Sequence, residues 1–367
     1  MAPIIGRQDG RVAWYRRQWG PMRLGGSILI TGAGGSIGSA LAKKIAQSDA
    51  RRLILLDNAE HELHEIELGL DAINRCALHT AVVGDICDAA LLAELFDEHR
   101  PDIVYHAAAF KHVPMMERNA LAAIRNNVLG TLALARAASQ HDIAQLVMIS
   151  TDKAVNPTSA MGVSKRIAEL VLLRWNSASA QMKALRLGNV LGSRGSVVPL
   201  FVEQISGGGP VTVTHPDVQR YFVTLHEAVD AILAAGNQDG GGIFVSKPAE
   251  AIKIVDLARQ MIRDAGFVAG TEIPIVFTQL RPGDKLAEEM FFADESVEPT
   301  GDDKLRRVRG PQIAVEQFDA EIAALAESVE HRDLVGLVDT LVRIVPQYEP
   351  SKMVCSETKP LARTASK

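Results

Sequence analysis

Cysteine is scarce in this chain: Cys76, Cys87 and Cys355 are the only three, an odd number with no metal-ligand spacing. Neither a disulfide framework nor a metal site is therefore expected, and a reducing cytoplasm is the expected compartment. No apolar run approaches the roughly 18 residues that cross a bilayer, and the N-terminus lacks the apolar core of a signal peptide. Neither sign of charge dominates. A net charge of −5 with dispersed basic residues argues against nucleic acid as a partner. Internal repeats are absent as well. At 367 residues, 47% hydrophobic and 23% charged, the chain can bury a sizeable core and is long for one nucleotide-binding unit, so a smaller second lobe is expected.

What is present begins at Ser27-Ile28-Leu29-Ile30-Thr31, an apolar run that reads as a buried parallel strand. Gly32-Ala33-Gly34-Gly35-Ser36-Ile37-Gly38 follows as a tight turn, and Ser39 to Ala46 as an amphipathic helix whose N-terminus faces it. Such glycines let backbone approach a pyrophosphate, which the helix amides and dipole favour. A lone glycine pattern is also what any tight connection looks like. Here a second apolar run, Arg52-Leu53-Ile54-Leu55-Leu56, ends in Asp57, nineteen residues after Gly38. An acidic side chain at that place accepts hydrogen bonds from an adenosine ribose and repels a 2′-phosphate, which predicts NAD rather than NADP. Arg51 and Arg52 precede that strand, so only a turning loop would bring one near.

Ala81 to Ile86 reads as a third strand. Asp85 and Ile86 would face the adenine, or Asp85 would cap a helix from Ala89 to Glu98. A fourth strand, Ile103 to His106, runs into Ala107, Ala108 and Ala109, whose small side chains leave room for cofactor. Strands alternating with helices predict an α/β protein: a Rossmann-type doubly wound parallel sheet, binding ligands beyond the carboxyl ends of its strands, with a smaller C-terminal substrate-binding lobe. The expected boundaries are a leader over 1–25, the NAD-binding domain over 26–190, the substrate lobe with interleaved sheet elements over 191–346, and a disordered polar tail over 347–367. Helices are expected at Ala314 to Ala326 and Asp333 to Ile344. The basic, aromatic segment Arg11 to Trp19 would lie on a membrane surface or partner, or pack as a short helix.

A fifth run, Gln145 to Ile149, leads into Ser150-Thr151-Asp152-Lys153, placing an ionisable pair at a strand end. The bland reading makes Asp152 a loop cap and Lys153 a solvated lysine. Met161 lies eight residues beyond Lys153 and shares a helix face with Lys165, four residues further on. Lys165 would reach the nicotinamide ribose or else sit at the surface, and Met161 would supply apolar contact or core packing.

Thr-Gly-Ala-Gly-Gly-Ser-Ile-Gly at 31–38, Ala-Ala-Ala-Phe-Lys-His-Val-Pro-Met-Met-Glu at 107–117, Asn127-Val128-Leu129-Gly130-Thr131, Ser-Thr-Asp-Lys-Ala-Val-Asn-Pro at 150–157, Arg220-Tyr221-Phe222 and Arg281-Pro282-Gly283-Asp284-Lys285 carry a resemblance. Over about residues 26–315 the chain resembles the UDP-N-acetylglucosamine 4,6-dehydratases of the CapD-like polysaccharide biosynthesis family, which are extended short-chain dehydrogenases. Many members carry an N-terminal membrane-spanning half that is not in this sequence. Where nucleotide-sugar relatives have Tyr-x-x-x-Lys, this chain has Met161 and Lys165. Methionine there marks the branch that typically retains configuration at C5.

The resemblance implies oxidation of a sugar at C4 by NAD, removal of the C5 proton, loss of the 6-hydroxyl as water and return of hydride to C6. Lys153 would be the base, with its pKa lowered by burial, by Lys165 and by the positive nicotinamide, and Asp152 the acid. Thr151 would bond the 4-oxygen, while the acceptor of the 4-hydroxyl proton stays open between Asp152, Lys153 and a water held by Lys165. Asn127 joins the cofactor contacts. Lys111, His112, Glu117, Asn189, Arg194, Ser196, Val197, Thr214, Arg220 and Arg281 are the candidate contacts to UDP-N-acetylglucosamine or a related UDP-hexosamine. At least one of the three arginines is expected to be structural, and His112 is either a ligand contact or a satisfied structural histidine. A homo-oligomer is expected. A C5-inverting dehydratase, a C4-epimerase and a non-catalytic dinucleotide-binding regulator are the competing readings.

Overall fold

Every residue of Ser27–Thr31 is buried, so this strand, β1, lies inside the sheet. Alternate side chains feed opposite faces: Leu29 joins one apolar core, and Ile28 and Ile30 the other. The same alternation holds in β2 (Arg52–Asp57), and β3 (Leu78–Val83), β4 (Ile103–His106), β5 (Gln145–Thr151) and β6 (Gln181–Leu187) run parallel to them in the same sheet. The computed structural model describes residues 25–73, 78–141, 143–247, 250–310 and 314–357. Arg11 to Trp19 and Cys76 lie outside them.

Beyond Leu187 the chain leaves the sheet for short strands: β7 (Asn189–Val190), β8 (Val211–Val213), β9 (Gln219–Arg220) and β10 (Phe222–Val223). It returns as β11 (Gly242–Ser246), leaves through β12 (Ile252–Lys253) and β13 (Ile275–Phe277), and comes back as β14 (Ser296–Pro299) and β15 (Leu305–Arg309). The nine-stranded order is β14-β15-β11-β6-β5-β4-β1-β2-β3, parallel except where β15 pairs antiparallel with β11 and β14. Helices Ser36–Ala46, Glu60–Asp71 and Leu225–Gly236 cover one face; Ala89–His99, Gly130–Gln140 and Ala160–Trp175 cover the other. This is the doubly wound Rossmann arrangement, with β2 and β4 leaving on opposite sides of β1 to open a crevice at its carboxyl end. A separate core built on Phe201, Val211, Val213, Leu257 and Ile262 holds the smaller lobe.

Several boundaries differ from the sequence reading. The first helix starts at Ser36 rather than Ser39, because the chain turns helical straight after extended Gly35. The third strand is Leu78–Val83, not 81–86: its ladder with β2 ends at the Asp57–Val83 pair, so Asp85 and Ile86 fall in the turn beyond. Asp88, not Asp85, caps the next helix, accepting from the amides of Ala90 and Leu91 at 3.0 and 3.1 Å. The C-terminal helices are Val315–Glu330 and Leu334–Ile344, and Phe318, Ile322, Leu337 and Leu341 pack them onto the sheet's core. The expected disordered tail is corrected over 347–357: Tyr348 and Val354 are buried, and Lys352–Glu357 is helical. Apolar anchors set among polar residues tie that segment down. Residues 358–367 lie outside the described residues.

Behind the end of β5 sits a buried ionic network. Arg186 on β6 grips Glu169 through Nε and Nη2, both at 2.9 Å, and Glu295 through Nη1 at 2.7 Å. The Ser150 hydroxyl donates to Glu169 at 2.6 Å, so the network is joined to the strand that delivers Thr151 and Asp152.

Candidate active site

The glycine turn closes on the neighbouring strand end. Gly32 has φ +68°, and a Cβ there would lie 2.5 Å from the backbone nitrogen of Ala108, so glycine is required on both counts. Asp57 accepts from the Gly34 amide at 2.9 Å through one oxygen and from the Ala59 amide at 3.0 Å through the other. Each oxygen keeps a lone pair for a further donor. The helix from Ser36 has neither a side-chain cap nor an acidic residue in its first turn, which leaves its N-terminal amides and positive dipole end for an anion. A cavity of about 230 Å³ joins Gly32, Gly34, Gly35, Asp57, Asp85 and Ile86 to Ala107, Ala108 and Ala109. Asp85 turns back to accept from the Cys87 amide at 2.9 Å and pairs with Arg125 at 2.9 Å. Ile37 and Gly38 follow in the first turn of the helix. Arg51 pairs with Asp102 at 3.6 Å, and Arg52 stands at the opposite end of β2 from Asp57.

Where β5 ends, Asp152 is wholly buried. Its Oδ1 accepts from the Thr151 hydroxyl and from Lys153 Nζ, both at 2.9 Å. Lys153 Nζ also donates to Asn189 Oδ1 on β7 at 2.9 Å and lies 3.5 Å from Glu288 Oε1. Burial pulls the Lys153 pKa down, but Asp152 and Glu288 outweigh it and hold the ammonium above the usual lysine range. This corrects the expectation of a lowered Lys153. Lys165 is depressed instead, brought to about 8 by burial against a smaller opposing pull from Glu169. Two residues here escaped the sequence reading. Glu288 follows the Arg-Pro-Gly-Asp-Lys run and carried no signal beyond that proximity. His106, last on β4, bridges Thr31 at 2.7 Å and Thr131 at 2.9 Å, and burial followed by Lys165 drives its pKa down to about 3. A neutral imidazole therefore sits under the crevice; a histidine ending a strand was the available clue.

The candidate substrate contacts divide. Lys111 Nζ donates to the Arg194 carbonyl at 2.7 Å, and His112 lies against Gly195. Arg194 itself crosses to the glycine turn: its amide donates to Ser36 Oγ at 3.0 Å, and its guanidinium pairs with Glu65 at 3.0 Å. It thus borders the dinucleotide cavity. Ser196 precedes helix Val197–Ser206 with its hydroxyl buried and unpartnered, Val197 is that helix's first residue, and Thr214 follows β8 in the smaller lobe. Arg220 is structural in part, bonded to the carbonyls of Lys285 and Leu286 at 2.8 and 3.2 Å. Arg281 is exposed and pairs with Asp284 at 2.8 Å.

Glu117 and Asn127 are embedded. Glu117 accepts the first amide of the Met161 helix, that of Ala160, at 2.6 Å. Asn127 clamps both backbone groups of Phe110 and bonds Ser164 at 2.8 Å. Their side chains hold the walls of the site together. Gly162 lets that helix press on the Lys153 carbonyl, where any Cβ would collide.

Met161 is buried in a small cluster with Val113, Met116 and Ala123. Met161→Leu is therefore expected to keep turnover within a few-fold and to cost under about 1.5 kcal/mol in denaturant unfolding, as volume-conserving apolar swaps do. A loss of activity comparable to that of removing Lys153 would contradict a packing role.

Residues 28–309 match the model of a family described as polysaccharide biosynthesis protein. The capsular polysaccharide biosynthesis protein CapD of Staphylococcus aureus is 47% identical over 274 residues, covering 73% of this chain and 45% of that relative. The chain thus spans less than half of that protein's length. Among solved structures, Pen from Bacillus thuringiensis is 27% identical with a TM-score of 0.70, covering 79% of this chain and 89% of the other. A dTDP-glucose 4,6-dehydratase of Streptomyces venezuelae, DesIV, solved with NAD bound, shares the fold at 23% identity and a TM-score of 0.63, over 72% of this chain and 90% of its own.

Proposed function

The chain belongs to the polysaccharide biosynthesis protein family, and on that premise we propose that it is a nucleotide-sugar enzyme, an NAD-dependent 4,6-dehydratase of UDP-N-acetylglucosamine that retains configuration at C5. The observation that carries the reading is the Asp152–Lys153 pair, 2.9 Å apart with the aspartate wholly buried, at the end of β5, the strand next to β4, whose following residues Ala107 to Ala109 line the cavity, with Met161 where a proton-transferring tyrosine would stand. The cavity suits NAD: the glycine turn and uncapped helix N-terminus take a pyrophosphate, Asp57 a ribose, and neither Arg51 nor Arg52 is placed for a 2′-phosphate.

Bound there, NAD would take the hydrogen from sugar C4 and return it to C6, so no external oxidant is consumed. The elimination falls to the pair. Shifting one proton from Lys153 Nζ to Asp152 Oδ1 along their hydrogen bond makes an amine and a carboxylic acid together. The amine takes the C5 proton, the acid gives its own to the departing 6-hydroxyl, and the pair returns to ammonium and carboxylate. Thr151, already donating to Asp152, is placed to orient that acid. The 4-hydroxyl proton falls to Lys165, directly or through water, since burial leaves it partly neutral near pH 8.

Purified protein is expected to carry NAD without its being added, because a cofactor restored each turnover need not leave. Asp57→Ala, which removes the anchor of the glycine turn at Gly34 and that of the following turn at Ala59 as well as the ribose acceptor, should lower the NAD found by chromatography of the denatured protein. Equal NAD in both proteins would contradict this role. Incubation with UDP-N-acetylglucosamine should yield a UDP sugar lighter by one water; an isobaric C4 epimer would replace the reading with epimerisation.

A further inference from the structure

Glu288 is a carboxylate that no sequence motif marks, and its surroundings are those of a working residue. Its side chain is 2% exposed, and Oε2 is buried with no hydrogen-bond partner. Oε1 lies 3.5 Å from Lys153 Nζ and 3.4 Å from Arg220 Nε, so one oxygen is shared by two cations from different parts of the chain. Arg220 cannot swing away, since its guanidinium is tied to the carbonyls of Gln219, Lys285 and Leu286. The second lobe thereby fixes a negative charge against the strand-end lysine.

We infer that Glu288 is a positioning residue of this site: shared by Lys153 and Arg220, it holds the Lys153 ammonium in place and sets the pH at which that lysine gives up its proton. The inference rests on the proposed role of Lys153 and adds what controls it. Charges face Lys153 from several elements. Asp152 lies on its own turn, Arg220 on β9, and Glu288 with Lys285 on the segment after Arg281; Lys285 is held by the Val155 carbonyl at 2.7 Å, with Glu289 also acting on it. Asn189 on β7 contributes a neutral acceptor. Arg220, Lys285 and Lys153 itself thus face Asp152 and Glu288, with Glu289 a further carboxylate on Lys285. Removing the charge of Glu288 would leave Lys153 with Asp152 alone and drive it to release its proton at lower pH. Removing Arg220 would free Glu288 for Lys153 and do the reverse.

The test is an NMR titration of protein carrying lysine labelled at Cε, with the Lys153 signal assigned by its loss in Lys153→Arg. Glu288→Gln keeps the shape and an acceptor for Arg220 while deleting the charge. Its Lys153 midpoint should fall by about 1–3 units, the usual effect of one nearby charge. Arg220→Gln should raise the midpoint, an opposite sign that general loosening of the fold would not produce. A midpoint unchanged in Glu288→Gln overturns the inference, as does a fall in both variants. If no sugar nucleotide reacts but the midpoints move as stated, the proposed reaction fails while the control of Lys153 by Glu288 stands.

Discussion

Replacing Lys153 with alanine is expected to cut turnover by about 10²–10⁴-fold and to end exchange of the sugar C5 hydrogen with solvent deuterium. Without the amine the C5 proton loses its proposed acceptor, while Asp152 Oδ1 keeps the Thr151 hydroxyl and Glu288 keeps Arg220. Alanine also strips a cation from two buried carboxylates, so lost activity alone would not separate chemistry from lost structure. Lys153→Arg makes the separation, since it keeps the positive charge but cannot become neutral in the working range. It should remain folded and still fail to exchange C5. Asp152→Asn should slow departure of the 6-hydroxyl more than C5 exchange, because the amine survives and the acid does not. Wild-type exchange in Lys153→Arg would remove lysine from the role of base.

Arg186→Met is expected to destabilise the fold by about 3–5 kcal/mol, the cost of leaving buried charges without their partner. Glu169 and Glu295 would lose the two-pronged grip of the guanidinium, and Arg166, 3.0 Å from Glu169 and 3.5 Å from Glu295, cannot replace its geometry. The sign of the pH dependence follows from Glu169. Burial alone would raise its pKa, but Arg186, Arg166 and the Ser150 hydroxyl bring it from 4.5 down to about 2. A carboxylate lowered on folding contributes stability that is present above its unfolded value and lost as pH falls toward the folded one. That loss accordingly spans roughly pH 4.5 to 2 in the native protein, and in Arg186→Met it should begin at higher pH. Urea unfolding at neutral and mildly acidic pH checks both statements. A cost under about 1 kcal/mol would mean the pair behaves as an exposed one.

The parts of this molecule that announce themselves in sequence are those with a period or a spacing. Buried strands such as Ser27–Thr31 are continuous apolar runs, and the glycine turn with Asp57 is a local unit whose geometry needs those residue types. β3 was misplaced because it is half exposed and begins with Leu78-His79-Thr80, so no apolar run marks its start. The same locality explains the miss at Lys153. Its neighbour Asp152 was visible, but Glu288 is brought in from 135 residues away by a lobe whose path leaves no pattern. Charge state depends on such distant partners, so the sequence pointed to the lysine and misjudged the direction of its pKa. Glu117, Asn127 and Arg220 show the converse: polar residues near a crevice can be spent on holding its walls. The ordered tail rests on single anchors, Tyr348 and Val354, too sparse to stand out from a polar stretch.

A proton NMR time course with UDP-N-acetylglucosamine in deuterated water follows the proposed elimination by the Asp152–Lys153 pair, with hydrogen returned within each turnover, atom by atom. The expected product is a 4-keto-6-deoxy UDP sugar carrying deuterium at C5, with the hydrogen from C4 recovered in the new C6 methyl group, without added NAD and without net reduction of the cofactor. A product that keeps its 6-hydroxyl, or one reduced cofactor accumulating for each sugar consumed, would contradict it.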